Sequence, residues 1–237
     1  NPTPQGNLIN ESHFVDANTG YMCGSNGTII KTTDGASTWS LVSIDTLKNV
    51  GGIYFTSAST GFATVGSKIY KTTDGGSTWN IIYGNTYSYG SAIAFADANT
   101  GFAFYTGATS NLIKTTDGGI SWTEVTLTAA CDLQDIYFKN ATHGYAVGYQ
   151  GQYLTTTDGG ATWTESTLGT NSRTLYKTFF IDDNTGYIVG EYGTIFKTTD
   201  GGANWTISTY SYDSPSAVVN PIMTHLQDIY FTDANTG

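Results

Sequence analysis

The sequence predicts an all-β fold, a β-propeller of four-stranded antiparallel blades, on three observations. A phrase returns five times: Lys31-Thr-Thr-Asp34-Gly-Ala-Ser-Thr-Trp39, then Lys71 to Trp79, Lys114 to Trp122, Thr155 to Trp163 and Lys197 to Trp205. Its aspartates, Asp34, Asp74, Asp117, Asp158 and Asp200, lie 40, 43, 41 and 42 residues apart, a blade-sized period. All five tryptophans of the chain, Trp39, Trp79, Trp122, Trp163 and Trp205, sit inside the phrase. Between the phrases, short alternating segments are separated by Asp, Asn and Gly turns, and no helical period is present.

Each repeat reads as four strands, A to D. The approximate repeats are 8–49, 50–90, 91–132, 133–174 and 175–225, with a partial sixth at 226–237. Strand A is exemplified by Gln134-Asp-Ile-Tyr-Phe138, which recurs as Gln227-Asp-Ile-Tyr-Phe231. An A–B turn follows, such as Asp16-Ala-Asn-Thr-Gly20 or Asp97-Ala-Asn-Thr-Gly101, in which Asp and Asn cap their own turn backbone and Gly is expected to supply a positive φ. Strand B is Tyr145-Ala-Val-Gly148 and its equivalents; strand C is Thr28-Ile-Ile-Lys31 and its equivalents. The repeated phrase makes the next hairpin, and strand D leaves at Trp. The aspartate of the phrase is expected to cap the Gly-Gly turn, and the Trp to wedge between blades. A calcium site in the Asp-x-Asn-x-Gly turns is the alternative, but those turns lack the further acidic ligands of a calcium loop.

The phrase resembles the Asp-box, Ser/Thr-x-Asp-x-Gly-x-Thr-Trp, of sialidases, sortilin-like receptors and Ycf48-like proteins. The fuller unit, with a strand such as Gly193-Thr-Ile-Phe-Lys197 before the box, is most similar to the Ycf48-like, BNR-type repeat. Departures are small: Ala36 replaces a Gly, and Ser121 and Asn204 replace the Thr before Trp. The resemblance implies a ring of six to eight blades, seven in Ycf48-like proteins, of which five are complete here. It also implies an assembly or scaffold role, although the arginine-rich patch associated with that role has no counterpart in a chain whose single arginine is Arg173.

Composition narrows the function classes. The 237 residues suit one large β domain, and with 12% charged residues the surface is mostly neutral and polar. A net charge of −10 argues against nucleic acid and against an anionic membrane surface. No run approaches the roughly 20 apolar residues of a membrane span, so no direct membrane insertion is expected. The opening Asn1-Pro2-Thr3-Pro4 has the look of a mature or trimmed end. The Gly, Thr, Asn and Tyr richness points to an exported protein, extracellular or on the cell surface, with periplasm or lumen as the alternative. Cys23 and Cys131 fall in different repeats and read as two unpaired, buried thiols.

Function is expected where the repeats differ. The A–B turns and Asp-boxes are nearly identical from repeat to repeat, whereas the B–C and D–A loops vary and are rich in tyrosine. Loops on a rigid scaffold carry function, and Tyr is an efficient contact residue. The expected binding face therefore comprises Tyr87, Tyr89, Tyr105, Tyr149, Gln150, Glu191, Tyr192, Tyr210 and Tyr212. One position of strand A, held by Glu11, Asp135, Lys177 and Asp228, is expected at the channel mouth, as a solvated lining or a site for a cation or polar ligand. No cofactor or metal is expected, since His13, His143 and His225 show neither metal nor triad spacing. One arginine excludes the three-arginine clamp of sialidases. The expectation is a non-catalytic module that binds a protein or glycan partner, with an assembly factor and a glycoside hydrolase fragment as alternatives.

Overall fold

A computed structural model describes residues 6–84, 88–107, 111–128, 132–169, 173–208, 225–231 and 236. The chain forms two compact units, Asn1–Thr126 and Leu127–Gly237. Five four-stranded antiparallel sheets make five propeller blades, each with its strands in sequence order. The first unit holds β1–β4 (Ile9–Phe14, Gly20–Gly24, Ile29–Thr32, Ser40–Leu41), β5–β8 (Val50–Phe55, Gly61–Val65, Lys68–Thr72, Asn80–Gly84) and β9–β12 (Ser88–Phe95, Gly101–Gly107, Asn111–Thr115, Thr123–Val125). The second holds β13–β16 (Leu133–Phe138, Gly144–Gly148, Gln152–Thr156, Thr164–Thr167) and β17–β20 (Leu175–Phe180, Gly186–Gly190, Ile195–Thr198, Thr206–Ser208).

The sheets share one register. Every first strand carries a bulge near its start, at Ile9/Glu11, Val50/Gly52, Leu133/Asp135 and Leu175/Lys177, with its counterpart opposite Phe104/Tyr105 in the third blade. Every first strand also ends in Phe, and every second strand begins in Gly. The reason is steric and not the expected positive φ, which none of these five glycines has: a Cβ on Gly61 would lie 2.4 Å from the Phe55 ring, and the other four pairs are nearly as tight. Each Phe meets the Asp-box Trp of its own blade edge-on, from Phe180–Trp205 at 5.9 Å to Phe14–Trp39 at 6.3 Å. Edge-to-face rings of this kind add to the burial of their apolar area.

Neighbouring blades within a unit lock through the aromatic second residue of strand B. Tyr21 stacks on Phe55 at 3.5 Å, Phe62 on Phe95 at 4.3 Å and Tyr145 on Phe180 at 4.5 Å. The Asp-box lysine lies over its own blade's ring and donates onward. Lys31 Nζ sits 5.4 Å from the Tyr21 ring and donates to Gly75 O at 3.0 Å, and Lys71 Nζ donates to Gly118 O at 2.7 Å. The fourth box has Thr155 instead. There Lys139, just past β13, lies over both Tyr145 and Phe180 and donates to Asp183 O at 2.8 Å. The tryptophans are half-buried, and within the units they reach the preceding blade: Trp79 Nε1 donates to Val42 O at 3.2 Å and Trp205 Nε1 to Tyr153 Oη at 3.0 Å. Residues 226–231 dock on the fifth blade as a first strand does, with Phe231 stacked on Tyr187 at 4.7 Å.

Candidate functional site

Each blade has two chemically distinct ends. At one, the Asp-box hairpin binds the A–B turn: Gly35, Gly75, Gly118, Gly159 and Gly201 donate from N to Asn18, Ser59, Asn99, Thr142 and Asn184 carbonyls. At the other, the B–C turn binds the D–A connection, as Gly27 N does to Lys48 O and Gly151 N to Arg173 O, both at 2.7 Å.

The Asp-box end is saturated with its own hydrogen bonds. Asp74 accepts from Thr78 N at 2.8 Å, Thr78 Oγ1 at 2.6 Å and Thr72 Oγ1 at 2.8 Å. The expected cap is thus real but differently wired. The second turn glycine, Gly76, donates instead to Thr72 Oγ1 at 2.9 Å, because the Thr hydroxyl lies closer to that turn than the carboxylate does. The side-chain bond from the residue before Trp does most to hold these carboxyls low, to about 2 in Asp34 and Asp74 and lower still in Asp117 and Asp158. Ser121 Oγ and Asn204 Nδ2 preserve that donor where Thr is absent, at 2.6 and 2.8 Å. In the A–B turns, Asp16 Oδ1 accepts from Asn18 N and Thr19 N at 2.7 Å each. Asp97 and Asp182 repeat the pattern. His143 belongs to such a turn, its N donating to Asn140 Oδ1 at 2.8 Å.

The strand A acids sit elsewhere than a solvated lining. Asp135 is buried at 5% exposure; its carboxylate accepts from Thr178 N at 2.9 Å and pairs with Lys177 Nζ at 3.1 Å. Glu11 makes the equivalent bond, accepting from Ile53 N at 3.3 Å. The expected solvated lining is corrected for Asp135, which is buried; Lys177 and Glu11 are half-buried and each makes a bond between first strands. The Asp135 and Glu11 carboxylates cross to the next first strand and accept from its N–H groups, whereas the Lys177 ammonium reaches back to Asp135. Asp228 is exposed and accepts from its neighbour Ile229 N at 2.8 Å.

The variable end carries exposed aromatic groups. Tyr149 and Tyr192 are 51% and 48% exposed at the tips of two matching turns, Tyr149–Gly151 and Glu191–Gly193. The middle residues, Gln150 and Tyr192, hold φ of 56° and 55°, a left-handed conformation that a bulky side chain rarely adopts. The Arg173 guanidinium lies 5.8 Å over the Tyr192 ring while its Nη1 donates to Thr194 Oγ1 at 2.7 Å. Glu191 is fixed by Thr174 N at 2.9 Å and Tyr176 Oη at 3.3 Å, and the Thr174 bond does most to hold its carboxyl low. His225 joins this group, 5.9 Å from Tyr192 and 6.0 Å from Tyr176. Tyr89 is 63% exposed in the first unit.

Tyr105 is a correction. It was expected in a B–C loop, yet it is fully buried, 6.0 Å from Tyr83, with its phenol pushed up by burial. Strand β10 runs two residues past it, so the alternation points its ring into the core. Tyr87, Tyr210, Tyr212 and Cys131 lie outside the described residues. Cys23 is buried, its Sγ 3.9 Å from Val50 O. Among the described residues, no group of His, Cys, Asp and Glu is placed to hold a metal ion. The sequence reading missed Arg173, Tyr176 and His225 as partners of Tyr192. It also missed Lys139, whose only signal was the missing lysine at Thr155.

Residues 121–220 match the family model described as photosynthesis system II assembly factor YCF48. No curated protein matches the chain. Among solved structures, it resembles YCF48 bound to D1 peptide, at 17% identity and a TM-score of 0.62, over 97% of this chain and 89% of that one. YCF48 from Cyanidioschyzon merolae aligns at 15% identity and a TM-score of 0.57, over 87% of this chain and 86% of that one. The Niastella koreensis GH74 enzyme aligns at 18% identity and a TM-score of 0.69, over 84% of this chain but only 38% of that enzyme. The chain is a β-propeller that resembles the Ycf48-like, BNR-type proteins, and its residues 121–220 match their family model.

Proposed function

We propose that this chain is a non-catalytic binding module of an exported protein, which holds a protein partner at the ends of its blades formed by the B–C and D–A loops. The observation that carries the reading is the contrast between the two ends. The Asp-box and A–B turn carboxylates are occupied by their own turns. Tyr149 and Tyr192, by contrast, stand exposed on two matching turns, each held by a left-handed residue, Gln150 in one and Tyr192 itself in the other. Amphipathic rings on rigid turns suit a protein surface, since little side-chain freedom is lost on contact. The solved YCF48 complex with D1 peptide supports a protein partner for a propeller of this kind.

The test is site-specific photocrosslinking. A benzophenone amino acid at position 149 or 192, incubated with envelope extract of the source organism, should give a discrete protein adduct. The same group at position 99 or 184, in the A–B turns, should give none. Adducts only from positions 99 and 184 would reverse the assignment of ends. The GH74 likeness sets the control for catalysis. Reducing ends released from xyloglucan by the purified chain, and lost in Asp135→Asn, would overturn the non-catalytic reading.

A further inference from the structure

The fifth blade carries the chain's single arginine at the variable end, and the first blade shows what that position needs for structure alone. The two blades match there. Ser25 N donates to Leu8 O as Glu191 N does to Thr174 O, both at 2.9 Å, so Asn7, Asn26 and Thr28 correspond to Arg173, Tyr192 and Thr194. Asn26 and Tyr192 are both left-handed, at φ of 54° and 55°. In the first blade the set is neutral and closes on itself. Asn7 Nδ2 donates to Thr28 Oγ1 at 2.8 Å, and Asn26 Nδ2 donates to Asn7 Oδ1 at 3.3 Å. In the fifth blade Arg173 Nη1 makes the matching bond to Thr194 Oγ1 at 2.7 Å, and the guanidinium lies over the Tyr192 ring. Holding the turn therefore takes one N–H of an uncharged amide. The charge of Arg173 and the rest of its fork are surplus to that task.

Arg173 is also the cation that this end of the second unit has to offer. That unit has four Lys and Arg residues. Lys139 donates to the A–B turn at Asp183 O, Lys197 belongs to the Asp-box and lies over Tyr187 at 5.5 Å, and Lys177 pairs with Asp135. Among the described residues no carboxylate pairs with Arg173. Glu191, in the same turn, is taken by Thr174 N and Tyr176 Oη. Half-buried Arg173 thus has one face against a ring and Nη1 tied to a hydroxyl. Its Nε and Nη2 form the edge of the fork that gives two parallel N–H bonds to one carboxylate.

We propose that Arg173, seated on Tyr192, anchors the protein partner by taking one aspartate or glutamate side chain in a two-point contact. The inference rests on the protein-binding reading above and names the chemistry of one anchor within it. Arginine and tyrosine are among the residues that carry most binding energy at protein interfaces. In a chain of net charge −10, an acidic group of a partner is repelled from most of the surface and admitted where a cation stands. Arg173 therefore fixes where on this end the partner sits. Thr194 and Tyr192 hold the guanidinium before contact, which lowers the ordering cost of that contact.

The test uses the whole ¹⁵N-labelled chain, the probe acetyl-Glu-amide and the Arg173 Nε–Hε signal, which is unique because the chain has one arginine. A saturable shift is expected, with affinity about fivefold or more above that of free acetyl-Arg-amide for the same probe, the gain of a preorganised contact. Tyr192→Ala should lose most of that gain, and acetyl-Gln-amide should give no shift. Affinity equal to that of acetyl-Arg-amide would leave an ordinary arginine and overturn the anchor. Equal binding of glucuronic acid would make it a glycan site and overturn it too. Arg173→Asn copies Asn7 and should melt like the parent, while the crosslinked adduct from position 149 falls about fivefold or more. Arg173→Lys keeps the charge without the fork and should recover little of the adduct; full recovery would overturn the two-point contact. If Arg173→Asn leaves the adduct intact, the anchor alone is wrong. If the parent gives no adduct, the binding end itself is misassigned.

Discussion

The Asp135 carboxylate crosses from one blade to the next and accepts the backbone N–H of Thr178 at 2.9 Å, while Lys177 Nζ closes on its other oxygen at 3.1 Å. One buried acid thus serves as an acceptor for the neighbouring first strand and as the partner of a cation. Glu11 and Ile53 repeat the first half of the arrangement at 3.3 Å. The bond supplies an acceptor to a first-strand N–H, and each first strand has a ladder neighbour on one side only.

Asp135→Ala should therefore destabilise the chain by about 1–3 kcal/mol, the cost of an unsatisfied buried donor. Asp135→Asn keeps an acceptor and should cost less. Urea unfolding of the two variants measures the difference; equal losses would mean that the Lys177 pair, not the Thr178 bond, carries the effect.

The Asp-boxes predict an acid limb of stability. The folded carboxyls of Asp34 and Asp74 titrate at about 2, below the ordinary unfolded range near 3.9. A depressed acid contributes stability that is full above its unfolded value and is lost as pH falls through its folded value. Melting temperature should fall between about pH 4 and pH 2. Asp74→Ala should melt lower than the parent at pH 7 and show a shallower fall across that window. Coincident curves for parent and variant would show that the box carboxylates do not stabilise the turn.

Ala36 occupies a position where the other four boxes have glycine, and it holds φ of 68°. Ala36→Gly should stabilise the first blade by about 0.5–1 kcal/mol, by removing the left-handed strain of a Cβ. A lowered melting temperature would show that the lost chain stiffness outweighs that relief.

Lys139 replaces, from a different strand, the lysine that Thr155 lacks. Lys139→Ala should lower the melting temperature, and Thr155→Lys should recover much of the loss in the double variant. The register supports the rescue, since Thr155 faces Tyr145 as Lys71 faces Phe62. Strictly additive effects would separate the two sites.

Tyr149→Ala and Tyr192→Ala should leave the melting temperature almost unchanged, because Ala keeps the same backbone and the rings are about half exposed. Crosslinking to a partner from the neighbouring positions Gln150 and Gly193 should nevertheless fall. A large drop in stability with crosslinking intact would make these rings structural.

The sequence by itself determined the repeat, its phase and its strands. The period of the Asp-box, the turn residues and the alternation are local signals, and each blade is a local object built from about 40 consecutive residues. The sequence also identified the saturated end, since its turns are spelled out by Asp, Asn and Gly. Tertiary structure decided what faces what across blades. Burial of Tyr105 followed from where β10 ends, and the Asp135–Thr178 bond from the packing of one first strand on the next. Replacement of the Thr155 lysine by Lys139 required two blades to be packed together, and so did the grouping of Gly51, Gly66 and Gly90 around one cavity. Gly51 and Gly90 lie on different strands, about 40 residues apart in the chain, and Gly66 lies in the turn between two others. A periodic sequence repeats positions but not their occupants. Only the packed blades show which missing side chain leaves a space and which neighbour fills it.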